Sequence, residues 1–171
     1  MLEYFPERRH QVAPAQSRDR YSVRLWDIAH VIEPVGMILG FMRIGGIQTA
    51  SSLIESIGLG LLFVGILIRW TAIYHLGTYF TGTVTIKDDH VLVRSGLYGH
   101  VCHPAYTGAL LAHLGLGLSF SNWFSLALSS IPYFIAAAYR IHVEEQVLRE
   151  AFGDEYAAYA RQTKRLIPGV Y

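Results

Sequence analysis

The chain has 171 residues, a net charge of +1, and 16% charged against 52% hydrophobic residues. A soluble domain carries about 25% charged residues, so a water-soluble globule is excluded first. With no basic stripe interleaved with aromatics, nucleic acid is excluded as a partner. The single cysteine, Cys102, excludes an intrachain disulfide and any CxxC-type metal site.

The distribution of charge decides the class. Ser95 to Tyr139 is a run of 45 residues without one Asp, Glu, Lys or Arg. A spanning helix needs roughly 20 mostly apolar residues, so this run holds two spans and a turn. The mean hydropathy of +0.30 agrees.

In chain order, residues 1–24 read as a polar, arginine-containing arm, interfacial or loosely ordered. Charges and a proline stand where a signal peptide would have its apolar core, so no cleaved leader is expected. The first candidate span is Leu25 to Met42, "LWDIAHVIEPVGMILGFM", with Asp27, Glu33 and Pro34 inside it. Carboxylates in a span are costly and are expected to face protein or water; the alternative is a helix that only partly enters the membrane. The second span, Ser51 to Leu76, is clearer, and its Gly58, Gly60 and Gly65 are expected to permit close helix packing. Residues 77–104 change character, with glycines, alternating threonines and "KDDH" predicting a loop that turns at Asp88–Asp89 between short extended pieces.

Residues 105–139 form the predicted helical hairpin, about Ala105 to Ser119 and Trp123 to Tyr139, turning at "SFSNW" with Pro132 inside its second arm. From His142 onward Val143, Val147, Leu148, Ala151 and Phe152 recur at helical spacing, which predicts an amphipathic C-terminal helix outside the bilayer core. The fold expected is all-α integral membrane, about four transmembrane helices, in a single domain over residues 1–171. With four spans, nearly every Lys and Arg collects on the side of the arm, the loop and the tail, and only Arg43 lies opposite. Cations gather at the cytoplasmic face. Both termini and any active site are therefore expected to be cytoplasmic.

The polar residues cluster on that side. "LYGHVCHPAYTG", Leu97 to Gly108, sets two histidines, a cysteine and two tyrosines at the mouth of an apolar run. A zinc site from His100, Cys102 and His103 has suitable ligand types, yet Pro104 favours an extended His103 and defeats the helical spacing. No metal is expected. Cys102 lacks an activating partner pattern for a nucleophile beyond nearby histidines, and His113 and His75 read as core and interfacial residues. A cofactor pocket remains: Pro104 suits a first helical position, the free N–H groups there suit an anionic group, and Tyr98 and Tyr106 supply walls and hydroxyls. Arg140 and Glu144 stand four apart on one helix face, which reads equally as a surface ion pair or as a functional pair at the membrane boundary.

Taken together, "HVLVRSGLYGHVCHPAYTG", the hairpin turning at "SNW" and "RIHVEEQVLREAFGDEYAAYARQTKRLIP" resemble the isoprenylcysteine carboxyl methyltransferase family over roughly Gly77 to Tyr171. The resemblance implies a small integral membrane enzyme that uses S-adenosyl-L-methionine, with a prenylated cysteine, protein or small molecule, and membrane lipid as its partners. It implies cofactor-binding roles for His90, Val91, Leu92 and Val93, for Tyr98, for the tetrad His103, Pro104, Ala105 and Tyr106, and for Glu144. It implies that Arg140 holds the acceptor carboxylate and that Glu145 supports it as a neighbouring acid in the catalytic segment, residues 140–171. Residues 77–104 then become the cytoplasmic cofactor-binding loop. One departure stands out: where the family usually has arginine before the His-Pro pair, this chain has Cys102. Another cation, such as Arg94 or Arg165, is then required to take that arginine's role. The rival readings are a phospholipid amine methyltransferase, a membrane NADPH-dependent reductase and a non-enzymatic scaffold.

Overall fold

Ala15 to Arg24 contains neither glycine nor proline, and the first helix already begins there: α1 spans Ala15–Phe41. Ten of the 24 residues expected to form an interfacial or loosely ordered arm are therefore regular helix, because polarity alone does not break one. The structure is a computed structural model describing residues 15–47, 51–80 and 91–167, with side chains from Tyr21 onward; His90 and the "KDDH" turn lie outside them. The remaining helices are α2 (Ser51–Leu76), α3 (Pro104–Ser119), α4 (Trp123–Phe152) and α5 (Asp154–Gln162), with single 3₁₀ turns at Gly77–Tyr79 and Gly96–Gly99.

The hairpin turns where its sequence directs. Ser121 takes a left-handed φ of 46°, and the Asn122 side chain caps α4 by accepting from the N–H groups of Phe124 (2.9 Å) and Ser125 (3.0 Å). The same side chain donates to the Ile44 carbonyl at 2.7 Å, which ties this turn to the end of α1. At the other end, α4 does not stop at Tyr139. It runs unbroken for 30 residues to Phe152 and ends at Gly153, whose φ is +52°. A helix of that length is about 45 Å long against a hydrocarbon core of about 30 Å. Its last turns, carrying Arg140, Glu144 and Glu145, thus project beyond the apolar part on the same rigid rod.

Glycines set the α2–α3 contact. A Cβ added to Gly58 would lie 2.8 Å from the Gly115 carbonyl, and one added to Gly65 would lie 2.6 Å from the Gly108 carbonyl and 2.4 Å from the Ala112 nitrogen. The pairs recur seven residues apart on both helices, so the two backbones touch along a shared seam. Gly60 departs from its expected role, since a Cβ added there would meet nothing within 4 Å beyond its own helix. Gly65→Ala is accordingly expected to cost about 1–3 kcal/mol through overpacking, read as a lower unfolding temperature in detergent, whereas Gly60→Ala leaves that temperature unchanged or slightly raised.

Among the described residues, two helical stretches are long and apolar enough to cross a membrane, Ser51–Tyr79 and Trp123–Phe152. α1 and α3 pack on them. Glu33, half-buried in α1, accepts from His113 at 2.7 Å and from the Tyr133 hydroxyl at 3.1 Å. His113 is thus a satisfied core residue. Asp27 is exposed.

Candidate active site

The site grows from the first turn of α3. His103 is its N-cap, with φ −127° and ψ 58°, and the fully buried Pro104 occupies the first helical position. The ψ of 58° keeps His103 out of the helical region, as the following proline demands, but short of the extended backbone expected. Its backbone N–H donates to the Arg165 carbonyl at 3.0 Å, as that of Cys102 does to Lys164 at 2.7 Å. Thr107 Oγ1 adds a bond to the Leu166 carbonyl at 2.8 Å. The segment Val101–His103 is therefore clamped by the C-terminal tail from the moment it enters the helix.

One turn further, the Tyr106 hydroxyl is the hub. It donates to Glu144 Oε2 at 2.9 Å and accepts from Arg140 Nε at 3.1 Å. The expected pair of Arg140 and Glu144 is joined through a phenol supplied by a different helix, which makes it a built arrangement and not a surface ion pair. Arg140 is buried at 9% exposure and also donates to Ser22 Oγ of α1 at 3.3 Å. Trp26 of α1 stands edge-on to the Tyr106 ring, 6.3 Å between centroids. Arg69, near the end of α2, donates to the Ala105 carbonyl at 3.3 Å. Two guanidinium-bearing residues thus approach the first turn of α3 from different helices.

Adjacent residues of a helix are turned by roughly 100°, so Glu145 faces elsewhere than Glu144. Its carboxylate takes two bonds from Arg165, at 2.7 and 3.0 Å, and one from Arg149 at 3.2 Å. His103 Nε2 lies 3.6 Å from Glu145 Oε1, outside hydrogen-bond reach, and is buried without a partner. The geometry makes Glu145 an anchor for the tail. On this flank α3, α4 and the tail enclose a cleft of about 290 Å³, apolar at Leu110, Phe134 and Ala138 and polar at His142, Glu145 and Arg165.

Tyr98 is buried beneath the site, and its carbonyl accepts from the Tyr159 hydroxyl of α5 at 2.7 Å. Val91, Leu92 and Val93 belong to no regular element; Leu92 packs on Cys102, Tyr156 and Tyr159, while Val91 is exposed. Arg94 pairs with Glu155 and lies over the Tyr159 ring at 6.0 Å. Of the two cations considered for the role left by Cys102, Arg165 is the one beside His103. Burial raises the Cys102 thiol pKa, against the opposing hydrogen bond with Thr163 Oγ1 at 2.9 Å. A neutral, covered thiol is a poor nucleophile. Maleimide is expected to leave Cys102 unlabelled in the folded protein and to label it fully in denaturant, read by intact mass. Among the described residues no three His, Cys, Asp or Glu side chains are grouped to hold a metal.

Sequence reasoning missed Ser22, Trp26 and Arg69. Ser22 and Trp26 carry no local signal, because only the packing of α1 brings them to α4. Arg69 had one: a lone cation at the end of an apolar span.

The sequence model of the isoprenylcysteine carboxyl methyltransferase family matches residues 58–150, more than half of the chain. The chain belongs to this family. Among its relatives, protein-S-isoprenylcysteine O-methyltransferase of Schizosaccharomyces pombe is 34% identical over 119 residues, 68% of this chain and 50% of that protein. The B enzyme of the same name from Arabidopsis thaliana is 32% identical, covering 68% of this chain and 60% of its own length. The chain spans about half the length of the curated relatives it matches. The solved structure of the eukaryotic intramembrane Ras methyltransferase ICMT superposes with a TM-score of 0.69 at 27% identity, over 85% of this chain and 52% of that one. Family membership and the apolar helices together make this an integral membrane protein.

Proposed function

We propose that the protein is an S-adenosyl-L-methionine-dependent methyltransferase that esterifies the carboxylate of a C-terminal isoprenylated cysteine, or of a prenylcysteine-like lipid, at the membrane boundary. In this reading α1 and α3 cross the membrane with α2 and α4, and the site and both termini face the cytoplasm. The observation that carries it is the Tyr106 hydroxyl joining Glu144 to Arg140 at the end of the apolar rods. An acid suited to a cationic cofactor and a cation suited to an anionic acceptor stand on either side of one phenol.

The residues suit the cofactor on their own chemistry. His103 Nε2 is a buried polar atom with no hydrogen-bond partner, Glu145 Oε1 standing 3.6 Å away, and such atoms are rare unless something fills the site. Glu144, Tyr98, the tetrad His103–Tyr106 and the Val91–Val93 stretch would hold S-adenosyl-L-methionine; His90 joins them by family position. When bound, the cofactor supplies an electrophilic methyl group on a sulfonium. The acceptor carboxylate is already the nucleophile, so no general base is required, and catalysis rests on orientation and proximity. Arg140 orients that carboxylate with a planar donor pair. Its contacts to Tyr106 and Ser22 fix the guanidinium, so that it positions the acceptor oxygen more than it neutralises it. Glu145 acts through the tail it anchors.

An amine acceptor calls for carboxylates in its pocket, whereas Arg140 and Arg69 converge here. Calorimetric titration of the detergent-purified protein with S-adenosylhomocysteine, with NADPH in parallel, tests the cofactor assignment. Binding of the former alone supports the reading, and binding of NADPH alone refutes it in favour of a reductase. Formation of a base-labile methyl ester on a farnesylcysteine analogue then tests the acceptor.

A further inference from the structure

Deeper in the bundle lies a second polar group that methyl transfer does not use. Glu33 of α1 accepts from His113 Nδ1 of α3 at 2.7 Å and from the Tyr133 hydroxyl of α4 at 3.1 Å. The His113 and Tyr133 rings stack with centroids 3.4 Å apart, and Tyr133 is fully buried. His30 stands edge-on to Tyr133 at 5.1 Å. Three helices meet on one carboxylate within the apolar layer, where a carboxylate is expensive to keep.

The spacing ties this group to the active site. Glu33 lies seven residues from Trp26 on α1, His113 seven from Tyr106 on α3, and Tyr133 seven from Arg140 on α4. Seven residues are two turns and about 10 Å along a helix. On each of the three helices, one face therefore carries a member of the lower group and a member of the upper one. Trp26 bridges the levels, with its ring edge-on to Tyr133 at 5.5 Å as well as to Tyr106.

We infer that Glu33, His113 and Tyr133 are positioning residues, a lock that sets the register of α1 so that Ser22 and Trp26 stand against Arg140 and Tyr106. Proline explains why a lock is required at this place. Beyond Pro34, α1 is held by close contacts: a Cβ on Gly36 would meet Leu128 at 2.9 Å, one on Gly40 would meet Ser125 Oγ at 2.4 Å, and Ser125 Oγ donates to the Gly36 carbonyl at 2.7 Å. Pro34 removes one backbone rung between that half and the half bearing Ser22 and Trp26. Glu33 is the last residue before the weak point. A slip of one residue turns a helix by roughly 100° and moves it about 1.5 Å, enough to take Ser22 away from Arg140. Buried polar groups are best attested as setters of register and not as sources of stability.

The acceptor arm of the test rests on the methyltransferase reading; the optical arm does not. Trp70 and Trp123 are exposed at 68% and 62%, so with both replaced by phenylalanine, emission reports Trp26 alone. In that background Glu33→Ala is expected to red-shift Trp26 emission and to raise acceptor KM about tenfold, as for the loss of one charge-assisted hydrogen bond. S-adenosylhomocysteine affinity is expected to stay within about twofold, because the residues proposed to hold it come from α3, α4 and the segment before α3, and none from α1. The exchange Glu33→His with His113→Glu restores both KM and emission. Glu33→Gln, which still accepts from Tyr133, gives a smaller shift and serves if the alanine variant does not fold. Unchanged emission in Glu33→Ala, an exchange no better than its single variants, or cofactor affinity falling in step with KM would each overturn the lock. A wild-type protein that binds S-adenosylhomocysteine but esterifies no prenylcysteine refutes the acceptor reading, and the emission data still decide the lock.

Discussion

Arg140→Ala is expected to lower turnover of a farnesylcysteine acceptor by about 10²–10³, the usual loss when a preorganised donor to a reacting oxygen is removed, while S-adenosylhomocysteine binds with nearly its original affinity. Arg140 is 9% exposed and held by Tyr106 and Ser22, so its guanidinium is fixed before the acceptor arrives. Alanine takes away that fixed donor pair and leaves the Tyr106–Glu144 bond in place. Arg140→Lys keeps the charge but loses the planar fork, and is expected to fall between wild type and alanine. The measurement is a pair: single-turnover methyl ester formation and calorimetry on the same preparation. Equal losses in both would mean that Arg140 serves the fold and not the acceptor.

Glu144→Ala is expected to show the opposite profile. A carboxylate hydrogen-bonded to its ligand contributes roughly 1.5–3 kcal/mol, so S-adenosylhomocysteine should bind about 10- to 100-fold more weakly, at 1.4 kcal/mol per tenfold. Tyr106 loses its acceptor in this variant but keeps Arg140 as a donor to it. Turnover at saturating cofactor should therefore recover more fully than in Arg140→Ala. Glu144→Gln, which preserves the acceptor for Tyr106 but not the charge, separates the two contributions. Unchanged affinity in Glu144→Ala would remove this residue from the cofactor site.

Much of this site is visible in one dimension. The proline after His103 dictates both a non-helical N-cap and the start of α3, and the asparagine of "SNW" dictates the cap of α4, because both effects act within three residues. The apolar runs foretell α2 and the hairpin, since hydropathy is a sum over neighbours in sequence. The end of α4 was hidden for the same reason. Polarity changes at Arg140, but the backbone finds no breaker until Gly153, and the charged segment continues the apolar rod. The pairing of Arg140 with Glu144 was foreseen by its spacing, yet its phenol was not, because Tyr106 lies 38 residues from Glu144.

The sequence by itself determined the class of protein, the family, and the two segments, around His103–Tyr106 and Arg140–Glu145, that meet at the candidate site. These follow from composition, from short-range backbone rules and from motif order, none of which requires a neighbour in space. Only the tertiary structure decided how those residues divide. Glu144 accepts from the Tyr106 hydroxyl that Arg140 also reaches, while Glu145 joins Arg165 and Arg149, since one step along a helix turns a side chain by roughly 100° toward a different partner. Ser22, Trp26 and Glu33 entered the site and its support only through the docking of α1 on α3 and α4. A helix reveals in its sequence which residues share a face; what that face meets depends on glycine seams, a buried carboxylate and the register they impose.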